Sequence, residues 1–308
     1  MRALPRALVL LGALAWALAG GPASAQAPTI GGFDSENNGK PIGIEADQGV
    51  EWQQSNHVYI ARGNVKVTRG DNTLYADTLY AYYRPVAGTT AAAAPVKRNK
   101  DGTPAPFTQG STQIYRIEAD GHVRFATPTE TAYGDHAVYD VDQAILVLTG
   151  KDLRLVTPRD TITARDSLEW YDQKQMGIAR GNAVAVREGK RIRGDVLTAL
   201  LEKTANQGSH ISRINANGNV LVTSQDEIAR GDAGVYNLDT GIATLSGHVT
   251  LTRGDNELRG QYAVVDLNRN IGRLLSAPPD AKLVGAHPPR VEGLLVPRTR
   301  NGAPANAK

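Results

Sequence analysis

Residues 218–235 read Gly-Asn-Val-Leu-Val-Thr-Ser-Gln-Asp-Glu-Ile-Ala-Arg-Gly-Asp-Ala-Gly-Val. A glycine opens the stretch, and Val220 and Val222 follow at alternate positions. Small Gly231 comes thirteen residues on, with Ala229 two before it and Val235 four after. The same arrangement starts at Gly63 (Val65, Val67; Leu74, Ala76, Tyr80), Gly121 (Val123, Phe125; Ala132, Gly134, Val138) and Gly150 (Leu153, Leu155; Ile162, Ala164, Leu168). It recurs at Gly181 (Val184, Val186; Ile192, Gly194, Thr198) and Gly247 (Val249, Leu251; Leu258, Gly260, Val264). A fixed period near 30 residues with alternation inside each unit predicts an elongated, repetitive β-structure of about six strand-turn-strand units. Alternation at period two turns one face inward and one to water. The small residue in each second strand leaves room inside.

Helix signals are nearly absent, whereas Val, Tyr, Thr and Ile are frequent and Gly-Asn and Gly-Asp pairs sit between the runs. The fold class expected is therefore all-β.

The ends have a different character. Arg2 and Arg6, the apolar run 7–20 and Ala23-Ser24-Ala25 read as a cleavable export signal over residues 1–25. The apolar run is short for a membrane span. Residues 26–41 read as a flexible lead-in, the β-body as 42–277, and 278–308 as a disordered tail rich in Pro, Gly and Ala. Within the body, 84–113 carries an alanine run, Pro95, Pro104 and Pro106, and the bases Lys97, Arg98 and Lys100, as expected of an inserted loop. An export signal implies an oxidising compartment, yet the chain has no cysteine. Stability must come from core and ladders, and thiol chemistry is excluded. Without the signal, 32 Lys and Arg face 31 acids. That balance, with three Phe and three Trp, argues against nucleic acid as a partner.

A longer duplication overlies the unit. Glu51-Trp52 and Ala61-Arg62-Gly63-Asn64 recur 118 residues later as Glu169-Trp170 and Ala179-Arg180-Gly181-Asn182. Two fused halves sharing one stack of strands are expected.

No catalytic constellation stands out, and neither a cofactor nor a metal site is expected. The histidines His57, His122, His136, His210, His248 and His287 lack metal-ligand spacing. His122 and His248 stand where Asn64 and Asn219 do and are read as hairpin residues. Asp77, Asp135, Asp195 and Asp232 each follow the small residue. They are read as an outward, solvated ladder; the alternative is a carboxylate groove acting on polysaccharide. Arg-Gly-Asp at Arg69, Arg193, Arg230 and Arg253 is a by-product of the repeat.

Ile44-Glu45-Ala46-Asp47, Ala61-Arg62-Gly63-Asn64-Val65, Arg116-Ile117-Glu118-Ala119-Asp120-Gly121 and Arg213-Ile214-Asn215-Ala216-Asn217-Gly218 resemble the OstA/LptA family of lipopolysaccharide-transport proteins. The resemblance runs from about Ile42 to Leu275. It implies a slightly twisted, open β-jellyroll acting as a periplasmic bridge for lipopolysaccharide. Its partners would be lipid A, an inner-membrane LptC-like protein, an outer-membrane LptD-like translocon, and further copies of itself head to tail. Acyl chains would lie on an inner face formed by Val65, Val67, Leu74, Ala76, Tyr80, Val123, Phe125, Val138, Leu153, Leu155, Ile162, Leu168, Val184, Val186, Ile192, Val220, Val222, Val235, Val249, Leu251, Leu258 and Val264. The docking edges would be Ile42, Ile44 and Ala46 at one end and Tyr262 and Val264 at the other. A β-solenoid acting on polysaccharide and a structural stalk are the competing readings.

Overall fold

The computed structural model describes residues 42–85, 112–187, 189–204, 208–225, 227–266, 268–269, 271–279 and 290–296. The export signal, the lead-in and most of both the inserted loop and the tail fall outside them. Long strands carry the alternating segments: β3 (Val58–Arg69), β4 (Asn72–Pro85), β5 (Thr112–Ala126), β6 (Thr131–Asp140), β11 (Met176–Arg187), β12 (Lys190–Thr204), β13 (Gly208–Thr223), β14 (Glu227–Asn237), β15 (Ile242–Arg253) and β16 (Asn256–Asp266). Short ones are β1 (Ile42–Glu45), β2 (Val50–Gln53), β7 (Ile145–Thr149), β8 (Arg154–Val156), β9 (Asp160–Thr163), β10 (Ser167–Tyr171), β17 (Ile271–Leu275) and β18 (Glu292–Leu294). All pairings are antiparallel, and sequence neighbours pair along the stack. Arg84 and Pro85 still pair with Gln113 and Thr112, so the inserted loop is narrower than its composition suggests. Part of the segment read as a tail, Glu292–Leu294, pairs with β16.

The strand-turn-strand units are present, as in β3, the turn at 70–71 and β4, but the glycines that open five of the six lie inside strands, which corrects the reading of the Gly-Asn pairs as turns. At Gly63, Gly121, Gly181, Gly218 and Gly247 the strand continues through a bulge where the pairing register shifts. On β13, Gly218 and Asn219 oppose the single residue Asp232 of β14. Both bulge residues have positive φ, 74° and 50°. Glycine enters that region freely, and Asn and His are the side chains that tolerate it best. Hence His122 and His248 (φ 47° each) are bulge residues and not hairpin residues. The aspartates read as a solvated ladder hold these bulges. His122 Nδ1 donates to Asp77 (2.8 Å), Asn219 Nδ2 to Asp195 (2.9 Å) and His248 Nδ1 to Asp232 (2.8 Å). At the irregular unit, the Lys151 backbone N–H donates to Asp135 (2.9 Å).

A bulge bends its strand and strengthens the local twist. The row of bulges forms a spine along which the sheet folds into two layers, giving an all-β, open jellyroll. One layer holds β2, β7, β10 and β17 with the strand halves beside them. The other holds β1, β8, β9 and β18 with the remaining halves. Between them lies one apolar core, in which Val65, Val123, Leu148, Leu153, Trp170, Val249 and Val265 are fully buried.

The duplication has a direct structural counterpart. β3 pairs with β1 and β2 as β11 pairs with β9 and β10: Ile44↔Val67 matches Ile162↔Ala185, and Trp52↔Tyr59 matches Trp170↔Gly177. Likewise β16 pairs with β17 and β18 as β6 pairs with β7 and β8. In mid-molecule β7 pairs with β10 and β8 with β9, forming a seam between the halves. At the ends β1, β2, β17 and β18 each pair on one side only among the described residues. The residues expected at docking edges thus differ in their place in the sheet. Ile42 and Ile44 lie on an edge strand, whereas Tyr262 and Val264 lie in β16, flanked by β15 and β17.

Candidate functional site: the inner face and its cavity

In each long first strand the inward residues stand two and four after the bulge glycine, as at Val65 and Val67, or Val249 and Leu251. In each second strand the small residue is inward, and the next inward residue follows after three positions: Ala76 then Leu79, and Gly260 then Ala263. Two successive residues, such as Asp77 and Thr78, turn away where the strand bends.

Of the residues expected on the inner face, Val65, Val67, Leu74, Ala76, Val123, Phe125, Leu153, Leu155, Leu168, Val220, Val249 and Leu251 are buried in the core. Ile162, Ile192, Val222 and Leu258 pack against it, partly exposed. Tyr80, Val138, Val235 and Val264 stand on the opposite face, because the three-residue step puts Leu79 and Ala81, Ala137 and Tyr139, Gly234 and Tyr236, and Ala263 and Val265 inward. Leu168 keeps its place because the strand is broken between Thr163 and Ser167. Val184 and Val186 are also outward. They pair with Arg193 and Arg191, while Ala183 and Ala185 take the inner positions. Residues 183–186 read Ala-Val-Ala-Val, apolar on both faces, so alternation alone did not fix this phase. The apolar residue three after each small one (Leu79, Ala137, Leu197, Ala263) was the signal that could have.

These alanines leave space. A cavity of about 170 Å³ opens between the layers, with Ala185 and Ile192 on one wall and Leu197, Ala199 and Ile214 on the other. Two smaller gaps, of about 50 and 20 Å³, follow on either side. In the N-terminal half Phe125, Tyr139 and Leu148 nearly fill the space. Most residues lining the main cavity are apolar; Thr157, Asp160, Arg187, Lys190 and Arg191 cluster at one end, and Glu169 and Thr198 also border it. Arg187 clamps Asp160 with both Nε (2.5 Å) and Nη2 (2.6 Å). Opposite stands Tyr236, whose phenol is pushed up by burial, against the lowering influence of Arg187.

The outer face mixes apolar residues, Tyr80, Val138 and Val264 among them, with locally paired charges. Burial would raise the carboxyl of Glu169. Hydrogen bonds from Arg180, Ser167 and Tyr171 outweigh it and hold the group below its ordinary value. Its counterpart Glu51, at the free edge, is held down by Gln53 and Arg62. The aspartates Asp77, Asp135, Asp195 and Asp232 each serve a different bulge and do not converge on a groove.

Comparison with known proteins agrees with the division into two halves. A family model described as LptA/(LptD N-terminal domain) LPS transport protein matches twice in tandem, over residues 43–166 and 161–271. The two matches meet at the seam. An uncharacterized protein of Rhizobium meliloti (strain 1021) is 28% identical over 119 residues, covering 39% of this chain. The chain spans about half, 54%, of that relative's length. The crystal structure of LptH, described as the LptA homologous periplasmic component of the lipopolysaccharide transport device of Pseudomonas aeruginosa, aligns over 85% of this chain and 100% of its own. Identity is 12% and the TM-score 0.20, too loose to carry an argument. The tandem family match spans most of the described residues, and the chain belongs to the LptA/LptD N-terminal domain family of lipopolysaccharide-transport proteins.

Proposed function

We propose that this protein carries lipopolysaccharide across the periplasm, shielding lipid A acyl chains between its layers. It would receive its cargo from an inner-membrane LptC-like protein and pass it to an LptD-like translocon. Residues 1–25 would direct the export of the body at 42–277. The observation that carries the reading is an apolar inner face that runs through both halves and opens into a cavity. Exposing an acyl chain to water costs about 0.8 kcal/mol per CH₂, roughly 8–10 kcal/mol for a dozen carbons, so a carrier must cover each chain. A cavity of about 150 Å³ accommodates a benzene-sized ligand, far less than several acyl chains. Carriage therefore requires the layers to part, with the bulge spine as the hinge.

The seam supplies a template for the bridge. At β10, Trp170 is 1% exposed because β7 covers it, whereas its equivalent Trp52 on β2 is 48% exposed. Val291, equivalent to Leu153, is likewise exposed at the other end. Among the described residues no strand like β7 lies beside β2, and none like β10 and β9 beside β17 and β18. A second copy would supply both. Transferring the seam register sets Leu274 opposite Val50, Arg273 opposite Glu51, and Gly272 opposite Trp52. Glu292 would oppose Glu45, an outer-face repulsion eased by Lys66, 3.4 Å from Glu45. A family partner with the same edge could use the same register. Such contacts are head to tail and propagate.

Charge reversal tests this. Arg273→Glu should weaken self-association or partner capture, Glu51→Arg should do the same, and the two variants mixed should recover it through a single junction. Sedimentation at several concentrations reads the outcome. Recovery of nothing, with both variants folded, would remove the edge-to-edge bridge.

A further inference from the structure

We propose that the polar end of the main cavity is a headgroup seat, in which Arg187 and Lys190 take an anionic, phosphate-bearing headgroup while its acyl chains enter the apolar part. The inference rests on the carrier reading and assigns a polarity to it. Inward positions along this layer are apolar near the spine and change character at the far margin. Along β11 the inner residues run Ala183, Ala185, Arg187; along β12 they run Gly194, Ile192, Lys190; along β9 they run Ile162, Asp160. Among the described residues, those lining this end include the cations Arg187, Lys190 and Arg191 and the carboxylate of Asp160. Asp160 holds Arg187 through two of its nitrogens.

Guanidinium binds phosphate in the same two-pronged way as carboxylate. An incoming phosphate can therefore take over from Asp160 without Arg187 leaving its position, and Lys190 adds a second positive charge beside it. Tyr236 and the apolar Leu238 also line this cavity. Arg187 and Asp160 keep about a third and a fifth of their side-chain surface open to solvent, so a headgroup arriving from outside can reach them. The same alternation puts Arg253 and Glu227, 3.5 Å apart, at the equivalent margin of β15 and β14. That site has no comparable cavity beside it among the described residues, so the seat is assigned to Arg187.

Binding of two probes to the full mature chain tests the seat: bisphosphorylated lipid A, and dodecyl maltoside as an uncharged amphiphile. The double substitution Arg187→Gln, Lys190→Gln should weaken lipid A by about tenfold or more, the loss expected for charge-assisted hydrogen bonds. Dodecyl maltoside binding should be unchanged. Arg187→Lys should recover part of the loss, and Asp160→Asn should tighten lipid A binding by releasing Arg187. Arg193→Gln, on the outer face, should change neither probe. Equal losses for both probes, or none for lipid A, would overturn the headgroup seat while leaving the carrier reading standing. If the unaltered protein binds neither probe, the carrier reading falls and the seat with it.

Discussion

Trp170→Ala should lower the melting temperature by roughly 10 °C, whereas Trp52→Ala should leave it within a few degrees. The two residues are equivalents 118 positions apart, with matching pairings to β11 and β3. Trp170 lies under β7, among Leu146, Leu148 and Leu168. Truncating a buried Trp costs about 3–5 kcal/mol, and each kcal/mol moves a domain of this size by about 2–4 °C. Trp52 is half exposed, donates from Nε1 to the Tyr83 hydroxyl at 2.7 Å and stacks on Tyr59 at 6.0 Å. Losing those contacts costs about 1 kcal/mol. At a junction that repeats the seam, however, Trp52 is the buried anchor, and anchors of this kind carry about 2 kcal/mol or more of binding. Thermal melts and sedimentation of the two variants separate these roles. Equal destabilisation would mean that Trp52 is a core residue and that β2 is no docking edge.

Gly218→Val should cost about 3 kcal/mol or more, and Gly254→Ala much less. Both glycines have positive φ, 74° and 55°. Gly254 lies in a hairpin with nothing within 4 Å of where a Cβ would stand, so alanine there meets only the left-handed penalty of about 1–2 kcal/mol. At Gly218 a Cβ would come 2.2 Å from Asp195 Oδ2, the oxygen that accepts from Asn219. The substitution strains the backbone and expels the aspartate that holds the bulge. Urea unfolding of both variants gives the difference. Similar costs at the two sites would mean that the bulge spine is soft and the Asp clamp dispensable.

The repeat, the all-β class and the inward placement of the first-strand residues Val65, Val123, Val220 and Val249 were legible because alternation within one strand is a local property. The phase after each small residue was not. Whether Leu79 or Tyr80 faces inward depends on a bulge in the neighbouring strand, where Gly121 and His122 slip the register against Asp77. Within a single strand the trace of that slip is the apolar residue three after each small one, such as Leu79 after Ala76, and it competes with the apolar residue four after. The same blindness turned bulge glycines into turns and displaced the C-terminal edge from β17 and β18 to Tyr262 and Val264. The duplication was legible as offsets. That β1 and β2 are the exposed counterparts of the buried β9 and β10 needed the pairing itself. At Val184 and Val186 size misled: the larger residues face out, and Ala183 and Ala185 line the wider part of the core.

The most direct test is photo-crosslinking in cells, with a photoreactive residue placed in turn at Ala185 and Ile192 inside the cavity and at Val184 and Thr250 on the outer face. Lipopolysaccharide adducts should form at Ala185 and Ile192 and be absent at Val184 and Thr250. Adducts of equal yield on both faces, or only on the outer one, would contradict carriage between the layers.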